Sequence, residues 1–228
     1  MMFADRHDAG RQLAERLAEL GLGEPIVLAL PRGGVPVAAE VAHRLAAPLD
    51  VLLVRKIGCP WQPELGLGAI AEGGIRTLNT RLIAEAGVDE AQIEAIISRE
   101  TQEIERRARG YRGDRPAIAV SGRLVILVDD GLATGFTARA AIELLRMKGA
   151  SRVVLAAPVA PAETVMELDS IADQVVVLAT PAWFFAIGEH YVDFRQTSDE
   201  EVVSLLEAAR AEREEQPGVA APTGKARR

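Results

Sequence analysis

Apolar runs of five or six residues recur along the chain and alternate with amphipathic stretches of helical period. The runs at 26–30, 49–54, 124–128, 152–156 and 174–178 are rich in Val, Ile and Leu and end at turn residues. They are too short for helices and read as strands, buried on both faces. Between them, 5–20, 35–45, 137–148 and 162–168 carry helical spacing. Leu13, Leu17 and Leu20 share a face of the first helix, and Gly21 follows as its stop. This strand–turn–helix rhythm predicts an α/β fold, an open, mainly parallel sheet flanked by helices with right-handed crossovers.

Residues 55–123 break the rhythm. Gly58, Pro60, Pro63, Gly66 and Gly68 predict a mobile loop, and 75–78 a short edge strand. A long helix over 89–109 follows, with a narrow apolar stripe of Ile93, Ile96, Ile97, Thr101, Ile104 and Ala108. The flexible loop and helical insertion, 57–115, are expected to ride on the sheet rather than form a second domain. After the last core strand comes an aromatic-rich loop, 183–194. Ser198 and Glu201 then form a capping box that opens a final helix to about residue 214. One domain over 1–214 is expected, with a disordered tail at 215–228 rich in Pro and Gly.

Composition narrows the classes. With 49% hydrophobic residues a sizeable core is available. There are 33 acidic and 26 basic residues, a net charge of -7, which argues against broad nucleic-acid binding. No apolar run approaches membrane-spanning length, and the N-terminus carries no signal core. The single cysteine, Cys59, precludes an intramolecular disulfide and fits a reducing, cytoplasmic setting. Cys59 is expected in a loop. None of His7, His43 and His190 has a partner at metal-ligand spacing.

The chemistry concentrates at 125–137. Four apolar residues run into Asp129 and Asp130, followed by Gly131, Ala133, Thr134, Gly135 and Thr137 at the start of a helix. Adjacent carboxylates at the carboxyl end of a strand can accept the hydroxyls of a sugar, and they favour a divalent cation directly or through water. The turn that follows offers N–H groups at a helix N-terminus, which suit a phosphate. A phosphorylated sugar fits both halves, although capping Asp and Thr residues at an ordinary βα turn would look similar. Pro31-Arg32-Gly33-Gly34 follows the first strand and offers a second anion-binding turn with a guanidinium. Arg55 and Lys56 follow the second strand.

These segments resemble the type I phosphoribosyltransferases, and the chain as a whole looks like a bacterial branch with Pro-Arg-Gly-Gly in the first turn. The resemblance covers 26–56 and 124–178. It implies a Rossmann-like fold with a small C-terminal hood, here 179–214, and a soluble enzyme that moves 5-phosphoribosyl from phosphoribosyl pyrophosphate to a nitrogen nucleophile of the nucleobase kind. It implies that Asp129 and Asp130 hold the ribose and, through water, Mg2+. Gly131, Ala133, Thr134, Gly135 and Thr137 would hold the 5′-phosphate. Arg32, Gly33, Gly34, Arg55 and Lys56 would face the pyrophosphate, with Lys56 helping to neutralise it.

Trp183 would stack the acceptor base or else pack the last helix, and packing is the expectation for Phe185. Glu64 and Glu72, in or beside the loop, are candidates to touch the nucleophile. Hypoxanthine-guanine enzymes carry an Asp before the motif Thr where this chain has Ala133, which makes a 6-oxopurine acceptor less favoured. Some members of the fold bind the ligand as sensors without turnover, and that alternative stays open. Relatives are often homodimers, and the stripe of the long helix could pack within or between subunits.

Overall fold

The computed structural model describes residues 1–215; the tail expected to be disordered lies outside the described residues, apart from residue 215, which is helical. A five-stranded parallel sheet forms the centre. Its strands are β1 (Ile26–Ala29), β2 (Leu49–Val51), β6 (Leu124–Val128), β7 (Arg152–Val159) and β8 (Gln174–Ala179), in the spatial order β2-β1-β6-β7-β8. The open parallel sheet predicted from the apolar runs is therefore present.

Side chains alternate across it. Val27, Ala29, Ile126, Val128 and Val154 face a layer made by α1 (Arg6–Ala18), α2 (Gly34–Arg44) and α7 (Asp199–Glu215). Leu28, Val125, Leu127, Val153 and Leu155 face α5 (Phe136–Met147) and α6 (Ala162–Asp169). Covered on both faces, β1 and β6 have no room for a polar residue, which is why they read as unbroken apolar runs.

The order reverses at one place. From β1 the chain moves outward to β2, then returns to lay β6 on the other side of β1. The carboxyl ends of β1 and β6 thus flank the topological switch point, where open α/β sheets hold their ligands. The two strands are in register from Ile26 against Val125 to Ala29 against Val128. That register sets the turn after Leu30 beside Asp129.

The segment between β2 and β6 departs from the expectation of a loop. Residues 58–74 belong mainly to an antiparallel sheet of β3 (Val54–Cys59), β4 (Gln62–Ala71) and β5 (Arg76–Leu78). The expected strand over 49–54 is consequently split, with β2 ending at Val51 and Val54 opening β3. Cys59 is buried in β3 rather than exposed in a loop. Its neighbouring glycines, which look like breakers, serve close approach. A Cβ on Gly68 would lie 2.2 Å from the Thr77 carbonyl, and one on Gly66 would lie 2.5 Å from the Phe136 ring.

A short helix with no clear sequence signal, α3 (Thr80–Glu85), follows. The long helix is present as α4 (Glu90–Arg112), opened by a capping box between Asp89 and Gln92. Its stripe packs within the chain, against β3, β4 and α7. Arg112 at its end is buried with Asp50 of β2. Nε donates to Asp50 Oδ1 at 2.8 Å, and the remaining nitrogens reach Glu72. Glu72, a candidate for the nucleophile, is therefore a structural partner of Arg112. The Glu64 side chain lies outside the described residues.

Candidate active site

The two glycine turns meet. Gly34 opens α2 directly after the first turn, and its N–H donates to the Leu30 carbonyl. Gly33 has an ordinary negative φ of -58°, so conformational freedom is not what requires it. Proximity is: a Cβ on Gly33 would stand 2.0 Å from Asp130 Oδ2, and one on Gly34 would stand 2.8 Å from the Val128 carbonyl. The Pro31–Arg32 peptide is cis. The turn carrying Arg32 and the acid pair thus lie side by side at the ends of β1 and β6.

The acid pair is asymmetric. Asp130 is buried and its carboxylate has a partner, Arg6, whose Nε lies 2.8 Å from Oδ2. Tyr191 donates its hydroxyl to the Asp130 carbonyl at 2.6 Å. Burial, then the Asp130 charge, hold the Tyr191 phenol far above its ordinary value, so it remains a donor. Asp129 keeps some exposure. Desolvation, followed by the charge of Asp130, pushes the Asp129 carboxyl well above the usual carboxylate range; the Asp130 N–H, donating to Asp129 Oδ1 at 2.9 Å, pulls the other way. The two carboxylates expected to hold the ribose thus stand in different surroundings. Asp129 is the available acid, and Asp130 is committed to Arg6.

Beyond the pair, Gly131 and Leu132 are buried while Ala133, Thr134 and Thr137 are exposed. Gly131 is crowded by the Ile187 side chain. Gly135 caps α5 with φ +68°, a left-handed geometry suited to glycine, and puts the first-turn N–H groups of α5 at the turn. Thr164 Oγ1 braces the turn by donating to the Ala133 carbonyl at 2.7 Å.

Arg32 is loosely held, 3.8 Å from Asp199 at the start of α7. Asp199 also accepts from the Tyr111 hydroxyl at 2.7 Å; burial, with that bond, holds the Tyr111 phenol up at about 12. A cavity of about 180 Å³ joins Pro31 of the first turn, Arg55 of β3 and Thr137 of α5. Lys56 is not among the residues that line it, and strand alternation turns neighbouring side chains to opposite faces. Of the basic pair, Arg55 is the member that lines this cavity.

The hood begins after β8. Its 3₁₀ turn (Ile187–His190) and Tyr191 lie against the motif, and a bridge between Phe3 and Tyr191 ties the N-terminal segment to it. Arg6 stacks over Phe194 at 3.9 Å and donates to the Arg195 carbonyl. Trp183 and Phe185 are 81% and 80% exposed. Phe185 therefore does not pack the last helix, contrary to expectation, and neither does Trp183. Phe184 stacks on His190.

Sequence reasoning missed Arg6 and Tyr191. Arg6 leaves one signal, since a cation in the first turn of a helix opposes the macrodipole and asks for another reason to be there. Tyr191 leaves none.

Among the described residues, no group of three or more His, Cys, Asp or Glu could hold a metal, and no helix is long and apolar enough to cross a membrane.

A parallel sheet with two glycine turns and an acid pair at its switch point defines an α/β protein whose candidate site lies where open sheets hold their ligands. The chain belongs to the phosphoribosyl transferase domain family, whose model matches residues 5–195. It is 52% identical over 208 residues to a protein of Mycobacterium tuberculosis (strain ATCC 25618 / H37Rv) named "Putative phosphoribosyl transferase Rv0571c", covering 91% of this chain and 47% of that protein. It is 31% identical over 180 residues to an adenine phosphoribosyltransferase of Mycobacterium tuberculosis (strain CDC 1551 / Oshkosh), covering 79% of this chain and 65% of that one. The chain thus spans about half the length of the first of these curated relatives and about two thirds of the second. The crystal structure of TT1426 from Thermus thermophilus is similar at a TM-score of 0.82 and 47% identity, covering 90% of this chain and 98% of that one.

Proposed function

We propose that this chain transfers the 5-phosphoribosyl group of phosphoribosyl pyrophosphate to a ring nitrogen of a nucleobase, releasing pyrophosphate. The observation that carries the reading is the junction of the two turns. The Gly33 backbone lies against the Asp130 carboxylate, so a pyrophosphate on the first turn and a 5′-phosphate on the α5 turn would flank a ribose placed at Asp129. Bond breaking at C1 of the ribose builds positive charge on the sugar ring and negative charge on the leaving pyrophosphate. Asp129 meets the first through the ribose hydroxyls; Arg32 and Arg55 meet the second. No covalent nucleophile is needed, because orientation supplies much of the rate.

Mg2+ fits this site. The Asp129 carboxylate, raised by desolvation and by its neighbour, gains from a cation, and phosphate oxygens and water would supply the other ligands. When bound, the ion supplies charge neutralisation at the pyrophosphate. Ala133, in the place of the Asp of hypoxanthine-guanine enzymes, makes a 6-oxopurine acceptor less favoured, and the exposed Trp183 offers a ring for base stacking.

The test is calorimetry with phosphoribosyl pyrophosphate and Mg2+, followed by pyrophosphate release across a panel of bases. Binding and turnover on at least one base are expected, with binding lost in Asp129→Asn. Absence of heat at millimolar ligand overturns the reading. A second reading, a sensor that binds without turnover, is favoured by one observation: Arg6 already neutralises Asp130. Binding with no pyrophosphate released on any base would decide for it.

A further inference from the structure

The inserted helix α4 reaches the cavity beside the first turn. Ile104 and Arg107 of α4 supply part of its wall, together with Arg55 of β3, Pro31 and Thr137. This wall is fixed in place. Ile104 is buried, Tyr111 is tied to α7 through Asp199, and Arg112 is locked into β2 through Asp50. One turn earlier, Glu100 is buried and holds Arg55 Nε at 2.8 Å, so α4 also aims the β3 arginine.

Each acid of α4 near the cavity is shared between two arginines. Glu103 accepts from both Arg106 and Arg107, which hold its carboxyl down at about 2, and Glu100 is likewise shared by Arg55 and Arg99. Of these four arginines, Arg55 and Arg107 line the cavity, while Arg99 and Arg106 lie outside it, 73% and 60% exposed. Two guanidiniums in a cavity lined by no carboxylate, beside the first turn, fit a multiply charged phosphate.

We infer that Arg107 is a pyrophosphate-binding residue supplied by the inserted helix of the same chain, with Glu100 a positioning residue for Arg55. This rests on the phosphoribosyl pyrophosphate reading above, and it assigns the insertion a role in ligand binding. Arg107 would add a bidentate contact to the phosphates that leave, and none to the phosphate that stays on the sugar.

The experiment compares two ligands. Calorimetry with Mg2+ and either phosphoribosyl pyrophosphate or ribose 5-phosphate, which lacks the pyrophosphate, is run on the wild type, Arg107→Gln and Arg107→Lys. Arg106→Gln serves as control, because it removes an equal charge from the same helix and another bond to Glu103. Arg107→Gln is expected to weaken phosphoribosyl pyrophosphate by about tenfold or more, the worth of a charge-assisted hydrogen bond. Ribose 5-phosphate affinity should be unchanged, Arg107→Lys should recover part of the loss, and Arg106→Gln should match the wild type. Equal affinity of Arg107→Gln and wild type for phosphoribosyl pyrophosphate overturns this inference alone, as does an equal loss for both ligands. A folded wild type that binds neither ligand overturns the functional reading and takes this inference with it.

Discussion

Strands β1 and β6 of the central sheet are apolar from end to end, and the groups that face the ligand pocket sit in turns just beyond them. In the excursion over 54–112 the strands are mixed in character, and the decisive contacts are ionic. Arg112 reaches Asp50 across 62 positions of sequence, and Arg55 reaches Glu100 across 45. The sheet places the pocket by burial, which is non-directional and robust. The excursion is tied down through a few ion pairs, each sensitive to the loss of one partner. The difference teaches that the geometry of the candidate site depends on two kinds of stability, and substitutions can separate them.

The largest effect is expected at Arg112. With both partners 3% exposed or less, Arg112→Met strands Asp50 in the interior, and a stability loss of about 3–5 kcal/mol is expected from chemical denaturation. A loss under about 1 kcal/mol would mean that the excursion is held by its apolar contacts after all. Next comes Gly33→Ala on the sheet side. Its methyl would collide with the Asp130 carboxylate, so a loss of about 1–3 kcal/mol is expected, with phosphoribosyl pyrophosphate affinity lost by calorimetry.

Asp129→Asn should run the other way. The folded carboxyl is raised, so the native state binds its proton more tightly than the unfolded chain does. Asp129 therefore subtracts stability at pH values above its raised folded value, and that cost is relieved as pH falls toward the unfolded value of about 3.9. Asp129→Asn should raise the denaturation midpoint at pH 7.5 while ligand binding is lost, and the gain should shrink at low pH. A lower midpoint at pH 7.5 would break the claim that this acid is kept for binding and not for folding.

The smallest effect is at the surface. Glu212 hydrogen-bonds His43 and raises it, so this pair stabilises fully below the unfolded histidine value of about 6.5 and fades as pH rises through the folded value. His43→Gln should cost well under 1 kcal/mol at pH 5.5 and nothing at pH 8.5, as for exposed pairs generally.

Legibility followed the same division. The motif strand, its two aspartates and the Pro-Arg-Gly-Gly turn could be read because burial writes a local pattern and strand ends mark the pocket. The long helix could be read from its stripe. Strands β3 and β4 could not, since Gly58, Gly66 and Gly68 imitate a loop; there the missing side chains make room for a facing strand or for the Phe136 ring. Arg6 beside Asp130, and Arg112 between Asp50 and Glu72, join positions too distant for any local periodicity to reveal. Phe185 was misjudged because an aromatic in a mixed loop carries no signal of which side it faces.

The chain has two tryptophans, and each belongs to a different border of the molecule. Trp61 sits at the tip of the β3–β4 hairpin, 57% exposed, and Trp183 stands in the hood. Both indoles face solvent, where emission is red-shifted and open to quenchers. Two single-tryptophan versions of the protein would thus give separate optical clocks, one for the hairpin and one for the hood, and stopped-flow mixing could time which border responds first when substrate arrives.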